Sequence, residues 1–213
     1  MEAGFGKAEI SPGPDGGGMD LRILSYWHTR AGRYGAVRDG LYARALAARS
    51  GGETVCVIAL DLIGDAIGIT TKVRERIAEK TGLGGDHVMA ACTHAHSTPE
   101  TIGLTDHPVA PAWIDAVANG AAEAAGQAMA NLTPCRLALG EGQLAGVAVN
   151  RSARDNKEEL RKLSEEERRR YTLFDETVRV AAFCREDGGI IGTLFSFACH
   201  PVCVQAQDFI SAD

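Results

Sequence analysis

TVCVIALDL, Thr54 to Leu62, is a continuous apolar and β-branched run in an otherwise mixed chain. Such a run, free of polar alternation, reads as a strand covered on both faces. It is followed by GITTKVRERIAEKTGL, where Ile69, Val73, Ile77 and Ala78 fall on one helical face and Gly82 is placed to end the helix. HVMAAC, residues 87–92, then supplies a second strand. Strand, helix and strand with short connections make a βαβ unit, so the two strands are expected to be parallel neighbours.

Working outward, GLYARALAARS upstream alternates in part and reads as a strand, with helix as the competing reading. The opening GFGKAEISPGPDGGG has a short strand-like start and then reads as a loop. Downstream, APAWIDAVANGAAEAAGQAMANL predicts a long Ala-rich helix closed by Thr133-Pro134, and CRLALGEGQ another strand. Residues 154–170 are a dense mixed-charge run, a solvated excursion in which Ser164 and Glu167 have capping-box spacing. VRVAAF and IIGTLFSFA read as a hairpin turning at Asp187-Gly188-Gly189. The expected fold class is α/β: a mixed sheet with a βαβ unit and a C-terminal β-hairpin, helices packed on the sheet. No linker divides the chain, so residues 1–213 are read as a single domain.

The totals exclude several functions. A formal charge of −6 argues against nucleic-acid or anionic-membrane surfaces, which want clustered Lys and Arg. No apolar run approaches bilayer-spanning length. The N-terminus shows no apolar signal region, which makes a cytoplasmic protein the expectation. Six cysteines, among them Cys92, Cys199 and Cys203, lie mostly in apolar runs without a C-x-x-C pair and read as buried thiols.

Chemistry points to the histidines. His94 and His96 sit in CTHAHSTP, just past the carboxyl end of a parallel strand, and His200 follows the end of IIGTLFSFA. Open α/β sheets gather ligands beyond those ends. In extended backbone, side chains two apart share a face, so an H-x-H pair can reach one metal while a third ligand comes from a distant strand. Neither H-x-H nor His-Pro is specific alone. A mixed Cys/His site through Cys92, Cys199 or Cys203 is the less favoured alternative. Asp61 ends the first strand of the unit and has three open roles: orienting a ligand histidine, capping a helix or pairing in a salt bridge. His28, His87 and His107 read as ordinary surface or loop residues.

In sequence order, KAEISP, GLYARAL, VIALDL, CTHAHSTP, VNRSARDN and FACHPV followed by ISAD resemble the N-terminal catalytic region of the neutral/alkaline non-lysosomal ceramidase family. The resemblance spans essentially the whole chain. It implies a zinc-dependent amidohydrolase cleaving the N-acyl amide of ceramide or a related N-acyl lipid. By the same resemblance His94 and His200 bind Zn2+, His96 faces the scissile amide, and Arg151 lines the site near the substrate's head. The family block T-H-T-H-S-G-P-G-G is altered here at Ala95, Thr98 and Glu100. The resemblance also implies that a glutamate and a tyrosine ligand, and a catalytic serine, lie beyond Asp213. Two histidines do not close a zinc site, so weak metal binding and little activity are expected of these 213 residues alone. A non-catalytic fragment or binding module, or a zinc hydrolase of another amide or ester, is the alternative. An unfinished sheet would also leave strand edge open to self-association.

Overall fold

The structure is a computed structural model describing residues 1–13, 16, 19–25, 28–29, 36–65, 68–103, 109–148, 150–151, 157–167, 174–201 and 209–212. Its strands are β1 (Glu2–Glu9), β2 (Leu24–Ser25), β3 (His28–Thr29), β4 (Ala36–Val37), β5 (Tyr42–Ser50), β6 (Glu53–Leu60), β7 (Val88–Cys92), β8 (Thr133–Pro134), β9 (Arg136–Gln143), β10 (Thr177–Cys184), β11 (Ile190–Ser196) and β12 (Phe209–Ile210). The helices are α1 (Ile69–Thr81), α2 (Pro111–Ala130) and the single turn α3 (Lys157–Leu160).

Two sheets carry the architecture. One has the order β7-β6-β5-β1-β8, and the other the order β11-β10-β9. The expected βαβ unit is present: β6 and β7 pair in parallel, Cys56 opposite Val88 and Leu60 opposite Cys92, with α1 between them in sequence. All other pairings in these two sheets are antiparallel. GLYARALAARS settles as strand β5. It turns into β6 through Gly51 and Gly52 at φ 60° and 88°, the left-handed positions that a two-residue hairpin loop requires.

The strand-like start of the opening segment is a full strand, longer than its reading. Residues 2–9 pair along their whole length with β5. The glycines there serve packing: a Cβ on Gly4 would stand 2.1 Å from the Ala128 carbonyl oxygen, and one on Gly6 2.0 Å from that of Ala124. Helix α2 therefore lies directly on the β1 backbone, and its small buried residues Ala121, Ala124, Ala125 and Ala128 complete the close approach.

The main core lies between the five-stranded sheet and α1 and α2. Cys56, Ile58 and Leu60 of β6 meet Ile69, Val73 and Ile77 of α1 and Trp113 and Val117 of α2. Gly82 ends α1 as expected, at φ 74° with its N–H donating to the Ala78 carbonyl. At the other end Asp65 accepts from the N–H groups of Ile69 and Thr70, both at 2.8 Å. Burial pushes the Asp65 carboxyl up, but these bonds and that from the Thr70 hydroxyl outweigh it and hold the pKa below the usual value.

Strand β6 is not covered on both faces. Its burial alternates, and Val55 on the second face is 48% exposed. That face is met by the smaller sheet in a small cluster, where Phe183 joins Ala3, Leu46 and Cys135 and Val57 of β6 packs against them. The expected C-terminal hairpin is β10–β11, turning at Gly188 (φ 88°), with Gly189 outside the positive-φ region. Ser164 and Glu167 make the reciprocal bonds of a capping box. Among the described residues no helix is long and apolar enough to cross a membrane.

Candidate metal centre

The parallel ladder runs past the end of β7. The Thr93 N–H donates to the Leu60 carbonyl and the His94 N–H to that of Leu62, both at 2.9 Å. There the chain breaks from extended geometry, because His94 adopts φ 67°, a left-handed conformation uncommon outside glycine. The H-x-H pair therefore does not share a face by strand periodicity. The turn at His94 brings the two rings together at 90° to each other, with centroids 4.8 Å apart. Past it the loop is anchored inward through Ala95, Ser97, Thr98, Glu100 and Thr101, all buried, while His96 stays half-exposed between them.

Those anchors reach several elements. Thr101 donates its hydroxyl to the Gly64 carbonyl at 2.8 Å. Glu100 accepts from the N–H groups of Ile102 and Gly103 through one oxygen. The ISAD segment docks here too: the Ser211 N–H donates to the Ser97 carbonyl, and its hydroxyl donates to Asp39. Behind it, β12 pairs in parallel with β4. Thr98 and Glu100, where glycine was expected from the family block, are both buried.

His200, 104 residues further along the chain from His96, arrives from beyond β11. Its ring centroid lies 5.0 Å from that of His94 and 4.8 Å from that of His96. The Nε2 atoms of His96 and His200 are 3.2 Å apart. Among the described residues these three form a donor set for a metal, with one ligand atom from each lying within 4.8 Å of the others. His94 Nδ1–H donates to the Ile63 carbonyl at 2.6 Å, which fixes that tautomer and turns Nε2 outward. His96 is pushed down to about 4 by burial first, then by His94, His200 and the Arg151 charge. His200 is lowered by burial, His94 and Arg151. Neutral imidazole is the metal-binding form, so the donor chemistry fits a divalent cation.

Arg151 therefore stands close enough for its charge to act on both His96 and His200, although nothing in its local sequence signals this. Asp61 takes no part. Its oxygens accept from Arg44 at 2.7 Å and from the Tyr42 N–H at 3.0 Å, which makes it the salt-bridge member of its alternatives. The Cys92 thiol is pushed up to about 11 by burial and by Asp65, the state of an inert buried thiol. No disulfide occurs among the described cysteines. Cys203 and His107 lie outside the described residues, as does the side chain of His28. His87 bonds the Thr54 carbonyl at the opposite end of β7.

Residues 2–213 match the sequence model of the neutral/alkaline non-lysosomal ceramidase N-terminal region. The chain belongs to that family. Solved ceramidases carry the same fold. One, described as a ceramidase complexed with C2, has a TM-score of 0.80 at 23% identity, over 100% of this chain and 33% of that one. The neutral ceramidase from Pseudomonas aeruginosa has a TM-score of 0.80 at 24% identity, over 100% and 34%. This chain thus spans about a third of the length of those ceramidases.

Proposed function

We propose that this ceramidase-family chain carries the metal-holding part of a zinc-dependent amidohydrolase acting on the N-acyl amide of ceramide or a related N-acyl lipid. The observation that carries the reading is the convergence of His94, His96 and His200 from two distant segments in a chain of this family. His94 and His200 would hold Zn2+. A zinc ion in such a site supplies an acidified water or a polarised carbonyl near neutral pH.

The chain's own residues have definable tasks. The Ile63 carbonyl keeps the His94 proton on Nδ1, so Nε2 is available without a proton to displace. The Arg151 guanidinium supplies fixed positive charge beside His96 and His200, where an amide oxygen would gain negative charge as the bond breaks. His96, half-buried and neutral, would orient that amide.

The test is zinc uptake together with bond specificity. Equimolar uptake lost in His94→Ala and His200→Ala, and hydrolysis confined to N-acyl amides in a panel with esters and phosphoesters, supports the reading. Zinc uptake unchanged in both variants contradicts it. The one-third span favours a second reading, in which the 213 residues bind metal and lipid but turn over little. Ceramide binding with no measurable amide cleavage would select it.

A further inference from the structure

We propose that the outward face of the β11-β10-β9 sheet is the contact surface for a second copy of this chain. The pairing registers sort the residues of this sheet by face. Leu137 lies in one row with Phe183 and Gly192, and Leu139 with Ala181 and Leu194, on the side that meets the first sheet through Phe183. The opposite side carries the rows Ala138–Ala182–Thr193 and Gly140–Val180–Phe195, extended by Cys184 and Ile190. There Phe195 is 68% and Ile190 62% exposed. A central strand apolar on both sides, such as VRVAAF of β10, belongs in a sheet with a layer on each face.

Charge and shape both suit its own copy. The chain has a formal charge of −6. Yet this face holds charge only at its two ends, Arg136 at one and Glu176 at the other, where an interface keeps a wet rim. Two copies therefore meet without burying like charges. Along the row Gly140–Val180–Phe195 the side chains grow from β9 to β11. A two-fold axis running along the strands lays β9 of one copy over β11 of the other, in aligned sheet packing. Each Phe195 then enters the other copy's trough at Gly140. That trough is open, since a Cβ on Gly140 or Gly142 would meet nothing within 4 Å.

Size sets the strength. A sheet of three strands and seven residues in length has a face of about 14 by 23 Å. Two such faces, rough with side chains, hide roughly 1,000 Å² in total, the low end of what a specific interface needs. The pair is therefore reversible, with a dissociation constant on the order of 0.1 mM.

The experiment is sedimentation equilibrium of the 213-residue chain alongside Phe195→Asp, Gly140→Phe and Leu139→Asp, each checked for folding by circular dichroism. The proposal predicts a reversible dimer of the parent, weakened at least about tenfold by Phe195→Asp and by Gly140→Phe, which set ridge against ridge or charge in the trough. Leu139, 79% exposed on the other side, is the control, and Leu139→Asp should leave the association within about twofold of the parent. Gly140→Phe adds apolar surface, so indiscriminate stickiness would strengthen association in that variant. Strengthening there, or a loss in Leu139→Asp equal to that in Phe195→Asp, overturns the proposal. A parent still monomeric at about 1 mM, ten times the expected constant, also overturns it and assigns the face to a different occupant. Should Gly140→Phe not fold, methyl spectra of the unmutated chain decide. Concentration-dependent shifts at Val178 and Val180 with Leu137 and Leu139 unmoved support the proposal, and the reverse pattern overturns it.

Discussion

The two sheets are built from similar strings and end in different states. VCVIAL of β6 and VRVAAF of β10 are both apolar and β-branched. Yet β6 has Cys56, Ile58 and Leu60 fully enclosed by helices, whereas β10 buries only Phe183. On the strands flanking β10, Leu139 is 79% and Phe195 68% exposed. Apolar composition signals what a strand can bury, and the layers present decide what it does bury. The candidate site straddles this divide. His94 and His96 grow from the end of the well-covered sheet, and His200 from the end of the sparsely covered one. The position of His200 therefore depends on the small contact between the sheets, where Phe5 and Phe183 meet edge to face with centroids 5.7 Å apart. A Cβ on Gly192 would stand 2.5 Å from the Phe5 ring, so the sheets touch closely there.

The largest expected effect tests the covered side. Gly6→Val would drive a side chain into the α2 backbone, which cannot yield as a side chain would. Loss of the cooperative thermal transition is expected, beyond the roughly 1–3 kcal/mol of ordinary overpacking. A melting curve near that of the parent would show that α2 does not seat on β1. Next, Ile58→Ala removes a fully buried side chain between sheet and helices, at about 2–5 kcal/mol in denaturant melts.

Phe183→Ala sharpens the contrast. It should cost about 3 kcal/mol at most, because its cluster is small. Amide exchange should quicken in β9–β11 while β5 and β6 keep their protection. Uniform quickening in both sheets would mean that the two unfold as one unit. A smaller loss, about 1 kcal/mol, is expected for Asp65→Ala, which strips two N–H acceptors from the start of α1. Since the folded Asp65 pKa is depressed, its contribution is present above the unfolded value and lost as pH falls through the folded one. The variant should therefore show a shallower stability loss on acidification. The smallest effect is expected from Phe195→Thr on the open sheet, within about 0.5 kcal/mol. Its readout is lowered self-association in light scattering.

Local signals were legible and remote ones were not. The βαβ unit, the Gly82 stop, the capping box at Ser164 and Glu167 and the β10–β11 hairpin all follow from neighbouring residues. Strand β1 was legible only as a short strand-like start, and the purpose of Gly4 and Gly6 shows only once α2, more than 100 residues later, lies on them. The β4–β12 pairing was likewise invisible, joining residues over 170 positions apart through two-residue strands. At the site, the three histidines were legible by type and by position at strand ends. Their means of convergence was not, since nothing in CTHAHSTP marks His94 as the left-handed residue that turns the loop. Asp61 was placed toward the site by its strand-end position, but Arg44 on the neighbouring strand claims it.

The central claim is that His94 and His200, from opposite sheets, hold one ion. The most direct measurement is an anomalous difference map at the zinc edge from crystals grown with equimolar zinc. The account predicts a single peak about 2.0–2.2 Å from an imidazole nitrogen of each. A peak bound to one of them alone, or none between them, would contradict it.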